Sequence, residues 1–547
     1  MKPEDPSQQA DALDTGLDSV EVPPGVDRRT FLMRNAAIGA AAVMTGGNWT
    51  PEARAAQAAK EASAAKPAAK TGPKLGASPL SPDLDVVKRS KGPVMTVVDE
   101  FYKVGPGPSS SHTIGPMRIT YDFYQRCSKL PADQLAKATG LKVHLYGSLS
   151  ATGKGHGTER AALAGLIGKE PATVDPLFLD EMIVKPDQTY PVKLGDKTFN
   201  LSLKDIIYDS PKGEFKHPNT LTCKLMGGGT PVYELEYYSP GGGFYEWKGY
   251  TPPKKGAPKY PYATMKELRQ HAEKNSLTIA QVVMANEVAV SGKTEEQVNA
   301  FLDKIAGAML ATVKAGLSVK EGSQLPGPIK LYSKAATVYQ RAQDDKWESD
   351  RAIGQVSAFA LAASEENARG HLVITAPTGG SAGVMPAVVY ALVEGPRKIP
   401  MDKVREGLLA GAAIGYLCKH NATLSGAEGG CQSEIGVASA MSAAFLAQVK
   451  GSSPLVIENA AESALEHHLG MTCDPVAGYV QVPCIERCAF GAVKAWIAAL
   501  IATNEVASRH RVDLDTTIKT LADTGKDMSN KYKETSEAGL AQNLTLC

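Results

Sequence analysis

The chain has 547 residues, with 59 Lys plus Arg against 58 Asp plus Glu, so its net charge of +1 supplies no global field for nucleic acid or an anionic membrane surface. At 43% hydrophobic and 21% charged residues it is neither disordered as a whole nor membrane-embedded, and 8 Cys in this length exclude a disulfide scaffold. Aromatic residues make up only 6% against 52 Gly, which points to close-packed helices and tight turns rather than a β-sandwich, in a chain long enough for two or more domains.

Residues 1–27 are polar and contain proline. Asp27-Arg28-Arg29-Thr30-Phe31-Leu32-Met33-Arg34 then precedes an apolar run from Ala36 to Gly47. That run is too short for a bilayer span, which needs roughly 20 residues. A charged start, a short apolar run and the small-residue site Ala53-Arg54-Ala55 together have the form of a cleavable signal. The paired arginines before Phe and Leu resemble the twin-arginine export signal of bacteria; the plainer alternative is a chance pair before an Ala-rich helix. Residues 1–55 are read as this signal and 56–90 as an Ala/Lys/Pro-rich linker. The expected location is the periplasm or beyond, or the cytoplasm if the signal is not used.

Residues 91–262 read as an α+β domain. The stretch VMTVVDEFYKVG (94–105) has a helical pattern. The loop from Gly105 to Pro116 follows, carrying Ser109, Ser110, Ser111, His112 and Thr113 ahead of the amphipathic MRITYDFYQRC. Hydroxyls and free backbone N–H groups at a helix start suit a carboxylate or phosphate, although a Ser-rich turn with an N-cap would look the same. A strand-like KVHLYGS (142–148) leads into LSATGKGHGTE (149–159) and a helix, RAALAGLIG. There His156 stands between two glycines, with little to keep its ring from a ligand, or else in an ordinary turn. Residues 175–250 alternate short strands with the glycine clusters 227–229 and 241–243, and Phe215–Thr220 contributes His217 and Asn219.

Residues 263–547 read as nearly all helix. The runs 264–276, 279–292, 295–317, 352–368, 383–394, 402–419, 433–449, 456–469 and 489–507 carry helical periodicity or are rich in Ala and Gly. Helices apolar on all sides are buried, and no stretch has the length and flanks of a membrane span. Three loops between them carry chemistry. Ala376–Gly383, with Thr378, precedes a helix and offers N–H groups to an anion. Lys419–Gln432 contains Asn421 and Cys431. Leu469–Gly478 contains Cys473 and leads to Cys484. Cys431 and Cys473 are 42 residues apart, and Cys473 and Cys484 are 11 apart. This matches neither a zinc CxxC pair nor a ferredoxin run, so spacing leaves open buried thiols, a disulfide or a metal site.

The stretches GPSSSHTIGPM (107–117), YGSLSATGKGHGT (146–158), YSPGGGF (238–244), ENARGHLVITAPT (366–378), NATLSGAEGGCQSEIGVA (421–438), LGMTCDPVAGYVQVPCIER (469–487) and TGKDMSNKYKETSEAGLA (524–541) settle the reading further. In these the chain resembles the iron–sulfur-dependent bacterial L-serine dehydratases (L-serine ammonia-lyases) in their single-chain form. The resemblance implies an α+β domain followed by an all-α helical catalytic domain that carries a [4Fe-4S] cluster. Its ligands would be Cys431, Cys473 and Cys484, leaving one iron free of these thiolates, and the C-terminal Cys547 would cap that iron in the resting enzyme. L-serine would be the substrate and no pyridoxal phosphate would be needed. His156 would be the base, with His217 as a second imidazole. Ser109, Ser110, Ser111, His112 and Thr113 would hold the carboxylate, aided by Thr378, with Lys419 and Asn421 as polar contacts. A homodimer is the expected assembly. Where the family usually reads Pro-Thr-Asn-Gly-Ala-Cys-Gly, this chain has Gly379 in place of the Asn, and His420 stands where Met is common. The competing readings are a cysteine desulfidase or other small-amino-acid β-eliminase, an exported amino-acid binding protein without turnover, and a zinc or disulfide protein using the same cysteines.

Overall fold

The computed structural model describes residues 92–210, 213–251 and 253–544. The signal-like segment 1–55, the linker 56–90 and Cys547 lie outside the described residues. What is described is an N-terminal α/β region with a mixed sheet, followed by a mostly helical region.

The N-terminal sheet has five strands, in the order Ile206–Tyr208, Gly140–Leu145, Thr220–Gly227, Thr230–Gly241, Phe244–Trp247. The first pair runs parallel, with Val143 opposite Ile206, and the others are antiparallel. Alternation decides which face is covered: Leu141, Val143 and Leu145 are buried while Lys142 and His144 are only partly so. The helices Gly115–Cys127 and Thr158–Leu166 share this core through Met117, Phe123, Leu163 and Leu166. They also deliver the two loops that precede them, 109–114 and 153–157, to one place.

In the helical region, Ile435–Val449 is buried at every residue except Val449. It is packed by Val384–Val393, Met401–Asn421, Pro454–Glu466 and Cys484–Asn504. The close approach of Met401–Asn421 is set by Gly407, Gly411 and Gly415, spaced four apart on one face. A Cβ at Gly407 would lie 2.6 Å from the Phe445 ring, and one at Gly415 would lie 2.2 Å from the Phe101 ring. Thr264, Thr278 and Thr294 each cap a helix in a reciprocal box with Glu267, Gln281 and Gln297. Among the described residues no helix is long and apolar enough to cross a membrane.

Two segments depart from their sequence patterns. The stretch 94–105 is helical only over Val98–Phe101; Lys103–Pro106 is a strand, antiparallel to Leu372–Thr375. Gly105 and Pro106 are poor in a helix interior, and the neighbouring strand satisfies their extended backbone. Conversely, Gly147–Thr152 forms a short helix that begins within the strand-like stretch 142–148. The Lys103–Pro106 strand also ties the chain's early part to the helical core. Tyr102 donates its hydroxyl to the Leu408 carbonyl at 2.8 Å, and the buried Glu287 accepts both the Val98 N–H at 3.0 Å and the Tyr416 hydroxyl at 2.9 Å.

Candidate active site

Cys431, Cys473 and Cys484 come from three loops that the fold knits together. Cys431 follows Gly430, whose φ of 73° and ψ of −174° suit only glycine, and a Cβ there would lie 2.6 Å from the Met471 carbonyl oxygen. Cys473 is held by the C-terminal segment: its N–H donates to the Tyr532 carbonyl and its carbonyl accepts the Glu534 N–H, both at 2.8 Å. Cys484 is the first residue of the helix Cys484–Asn504. All three are buried, and the seven described cysteines are all free thiols.

Cys431 receives hydrogen bonds from the Cys473 and Cys484 thiols. These, aided by Arg487, hold its thiol well below the usual range against the effect of burial. The other two thiols are pushed well above theirs, first by that donation and then by burial. Arg487, one turn into its helix, donates to the Thr472 carbonyl at 2.5 Å and to Asp474 Oδ1 at 3.2 Å, which fixes a cation beside the sulfurs. The Glu434 carboxylate completes the group. Its Oε2 lies 3.9 Å from both Cys431 Sγ and Cys473 Sγ, and its Oε1 accepts the Thr378 hydroxyl at 2.8 Å. The ligand atoms of Cys431, Glu434 and Cys473 lie within 4.8 Å of one another, a cysteine-rich group able to hold a metal.

The imidazoles lie beside it. The serine loop forms a wide turn over Ser110–Ile114, capped by Ser109, whose Oγ accepts the His112 N–H at 3.1 Å. Ser111 Oγ lies 2.8 Å from His112 Nδ1, and Thr113 donates to the His156 carbonyl at 2.7 Å, so these hydroxyls build the loop, while the Ser110 hydroxyl takes no part in those ties. The His112 and His156 rings are 4.5 Å apart. Both are fully buried, and His217 is nearly so.

Hydrogen bonding assigns the neutral forms of two of these rings. His156 Nδ1 lies 2.9 Å from the Thr152 carbonyl, which can only accept, so Nδ1 carries the proton and Nε2 presents its lone pair. His217 Nδ1 accepts the Asn219 N–H at 2.9 Å, so its proton sits on Nε2. Neither Nε2 has a hydrogen-bond partner among the described residues. Burial pushes both rings down to about 4, which keeps them neutral near pH 7.

Glu534 lies between the imidazoles and the sulfurs. Its Oε1 is 3.7 Å from His156 Nε2 and 3.8 Å from His112 Nδ1. Burial, followed by the nearby Cys431, pushes its carboxyl up to about 8. Glu428 approaches His217 Nε2 to 3.9 Å.

Thr378 reaches the site through Glu434, and Gly379 explains how closely its loop approaches. A Cβ at 379 would lie 2.8 Å from the Ser110 nitrogen and 2.9 Å from the Pro108 oxygen, so no side chain fits there while the serine loop is in place. Lys419 and Asn421 are engaged elsewhere. Lys419 donates to Thr96 Oγ1 at 3.2 Å and lies 4.1 Å from the Phe244 ring centre, and burial lowers it to about 8. Asn421 donates to the Ala263 carbonyl at 2.8 Å. No hydrogen bond joins either residue to the cysteines or the imidazoles described above.

Sequence reasoning did not single out Glu434, Glu534, Glu428 or Arg487. Glu434 carries a readable signal: it is the only charge between Glu428 and Lys450. Glu534 has none, because it sits in a polar run and only its tertiary position sets it apart.

Residues 97–249 match the serine dehydratase beta chain family, and residues 274–541 match the serine dehydratase alpha chain family. The chain is similar to the L-serine dehydratase of Haemophilus influenzae, 40% identical over 456 residues covering 82% of this chain and 99% of that one. It is also similar to L-serine dehydratase 2 of Escherichia coli, 39% identical over 463 residues, covering 83% and 100%. A third relative is the L-serine dehydratase of Streptomyces coelicolor, 40% identical over 462 residues, covering 82% and 99%.

Proposed function

Because the chain belongs to the serine dehydratase family and is an L-serine ammonia-lyase, we propose that it eliminates water from L-serine where Cys431, Cys473 and Cys484 meet His156, His217 and the serine loop. The observation that carries this reading is the pairing of a buried three-thiol group with two neutral imidazoles of opposite tautomer.

The donor set fits an iron–sulfur cluster: three buried soft ligands from separate loops, none committed to a disulfide, with a guanidinium to offset their charge. We take it as a [4Fe-4S] cluster held by Cys431, Cys473 and Cys484, with Cys547 as the resting cap. When bound, a cluster with one iron free of thiolate supplies a Lewis acid for the β-hydroxyl. The chain's own groups do the rest. The serine loop, with Ser110 foremost, receives the substrate carboxylate, and Thr378 orients the Glu434 carboxyl beside the sulfurs. His156 Nε2, bare of hydrogen, takes the α-proton. The carbon–hydrogen electron pair becomes the second bond between Cα and Cβ. His217 Nε2–H hydrogen-bonds to the departing oxygen and keeps its proton; the oxygen leaves as hydroxide and takes up the proton that His156 has gained, so water is released and both imidazoles end neutral. The aminoacrylate so formed tautomerises to an imine and hydrolyses to pyruvate and ammonia. No pyridoxal phosphate enters this scheme.

Two further expectations belong to this reading. The Arg28-Arg29 motif supports export of the enzyme already folded. An apolar ridge of Phe490, Ile497 and Ile501 along one face of Cys484–Asn504, each at least half exposed, supports a homodimer.

The deciding experiment is anaerobic purification and reconstitution, with an iron count, a visible spectrum for thiolate-to-iron bands, and an assay for pyruvate from L-serine. Iron-loaded protein that forms pyruvate is expected. Protein that takes up no iron, or that carries iron and forms no pyruvate, refutes the reading.

A further inference from the structure

Glu534 is the one carboxylate of the site that no donor satisfies. Glu434 accepts the Thr378 hydroxyl and Glu428 accepts the Thr423 hydroxyl at 2.5 Å, whereas the Glu534 carboxylate has no hydrogen-bond donor among the described residues. It is 6% exposed. Its two nearest polar atoms do not serve it. His156 Nε2, 3.7 Å away, offers a lone pair, and His112 Nδ1, 3.8 Å away, is already bonded to the Ser111 hydroxyl. No fixed donor among the described residues stands between this carboxyl and the His156 lone pair, which leaves a place there for a cationic or protic group of a ligand. The chain fixes this arrangement at a cost, because Glu534 takes the left-handed backbone (φ 58°) and is pinned through its N–H to the Cys473 carbonyl.

From this we propose that Glu534 receives the α-ammonium group of the substrate. The proposal rests on the reading that the pocket binds an α-amino acid, and it names the group that selects one. The α-carbon of such a substrate carries both the ammonium and the hydrogen to be removed. A carboxylate oxygen and a basic nitrogen 3.7 Å apart can address two groups on one carbon, the ammonium at Glu534 and the hydrogen at His156. With the carboxylate of the substrate at the Ser109–Thr113 loop, three of the four groups on the α-carbon are then held, which selects one enantiomer. Hydroxy acids and simple carboxylic acids lack the ammonium and leave Glu534 unsatisfied, so they are rejected on charge rather than on size.

The test uses the full-length, iron-loaded enzyme under anaerobic conditions and two ligands without a β-leaving group, L-alanine and propionate. These differ only in the α-ammonium. Their dissociation constants are measured by saturation-transfer NMR for the unsubstituted enzyme, Glu534→Gln and Glu534→Asp. Glu534→Gln is expected to weaken L-alanine about ten- to hundredfold, the scale of a hydrogen bond to a charged group. Propionate should stay within about twofold, and Glu534→Asp should recover part of the L-alanine affinity. Equal weakening of both ligands would reduce Glu534 to a structural prop and overturn the proposal. An unchanged L-alanine constant, or no preference for L-alanine in the unsubstituted enzyme, would also overturn it. If Glu534→Gln loses its thiolate-to-iron absorption, the Glu534→Asp comparison decides alone. Pyruvate formation from L-serine tests the parent reading separately, since the enzyme can pass that assay and show no ammonium discrimination, or the reverse.

Discussion

The opposite tautomers of His156 and His217 predict that different amides replace them. An asparagine at 156 can keep the bond that Nδ1–H makes to the Thr152 carbonyl at 2.9 Å, so the loop holds, but it has no basic nitrogen at the Nε2 position. A positioned general base contributes about 10²–10⁴ in rate, or roughly 3–5 kcal/mol of barrier at 1.36 kcal/mol per decade. His156→Asn should therefore lose at least about a hundredfold in kcat, with little change in iron content. A glutamine at 217 can offer an N–H where His217 presents Nε2–H. His217→Gln should thus lose no more than about tenfold, and His217→Ala clearly more, since a lost donor to a developing charge costs on the order of 10²-fold. The assay is anaerobic pyruvate formation at saturating L-serine, normalised to thiolate-to-iron absorbance. Because burial holds His156 at about 4, the base also stays unprotonated well below the ordinary imidazole range, and the acid limb of kcat/KM should fall far below pH 6.5. A His217→Gln variant as impaired as His156→Asn, or a His156→Asn variant retaining a tenth of the rate, would refute the tautomer reasoning.

Replacing Cys431 by Ser should abolish both iron binding and turnover, because it removes one of the three soft ligands of the proposed cluster; an iron count on the purified variant checks it. Gly407→Ala should lower the unfolding midpoint by the equivalent of about 1–3 kcal/mol, since its Cβ would meet the Phe445 ring at 2.6 Å; thermal melts with circular dichroism read this out. His510 bridges Glu462 at 2.9 Å and Glu505 at 3.0 Å; burial is the largest single influence on its pKa and lowers it, but the hydrogen bonds and charges of these two carboxylates together outweigh burial and raise it. A raised histidine stabilises the fold fully below its unfolded pKa of about 6.5 and loses that contribution as pH rises through the folded value. The stability gap between the unsubstituted chain and His510→Gln should therefore shrink from pH 6 to pH 9 in denaturant titrations. Ile497→Glu, placed on the exposed apolar ridge, should shift the mass measured by light scattering from dimer to monomer.

Much of the architecture is legible in residue patterns, because the long helices are amphipathic or uniformly apolar and their starts are marked by Thr caps three residues before Glu or Gln. The strand Lys103–Pro106 is not legible, because its partner, Leu372–Thr375, lies some 270 residues away and no local pattern encodes that pairing. The same division runs through the site. Ser109, His112, His156, His217 and the three cysteines stand in Gly- or Pro-marked loops, where local composition already sets them apart, and the fold brings these loops together. Lys419 and Asn421 also lie close in sequence to a thiol loop. They end a long helix, however, so its geometry turns them towards Phe244 and Ala263 instead. Glu534 carries no local mark at all; its role depends on where the C-terminal segment settles against Cys473.

That segment also bears on how the protein is made. The pocket draws on residues near the start of the described chain, on loops in its middle, and on Glu534, close to its end. A ribosome releases these contributions in order, so the nascent chain carries no complete pocket until Glu534 has left the exit tunnel. Truncation anywhere before Glu534 would remove that carboxyl from beside His156 and release Cys473 from its two backbone bonds, even if most of the chain folded.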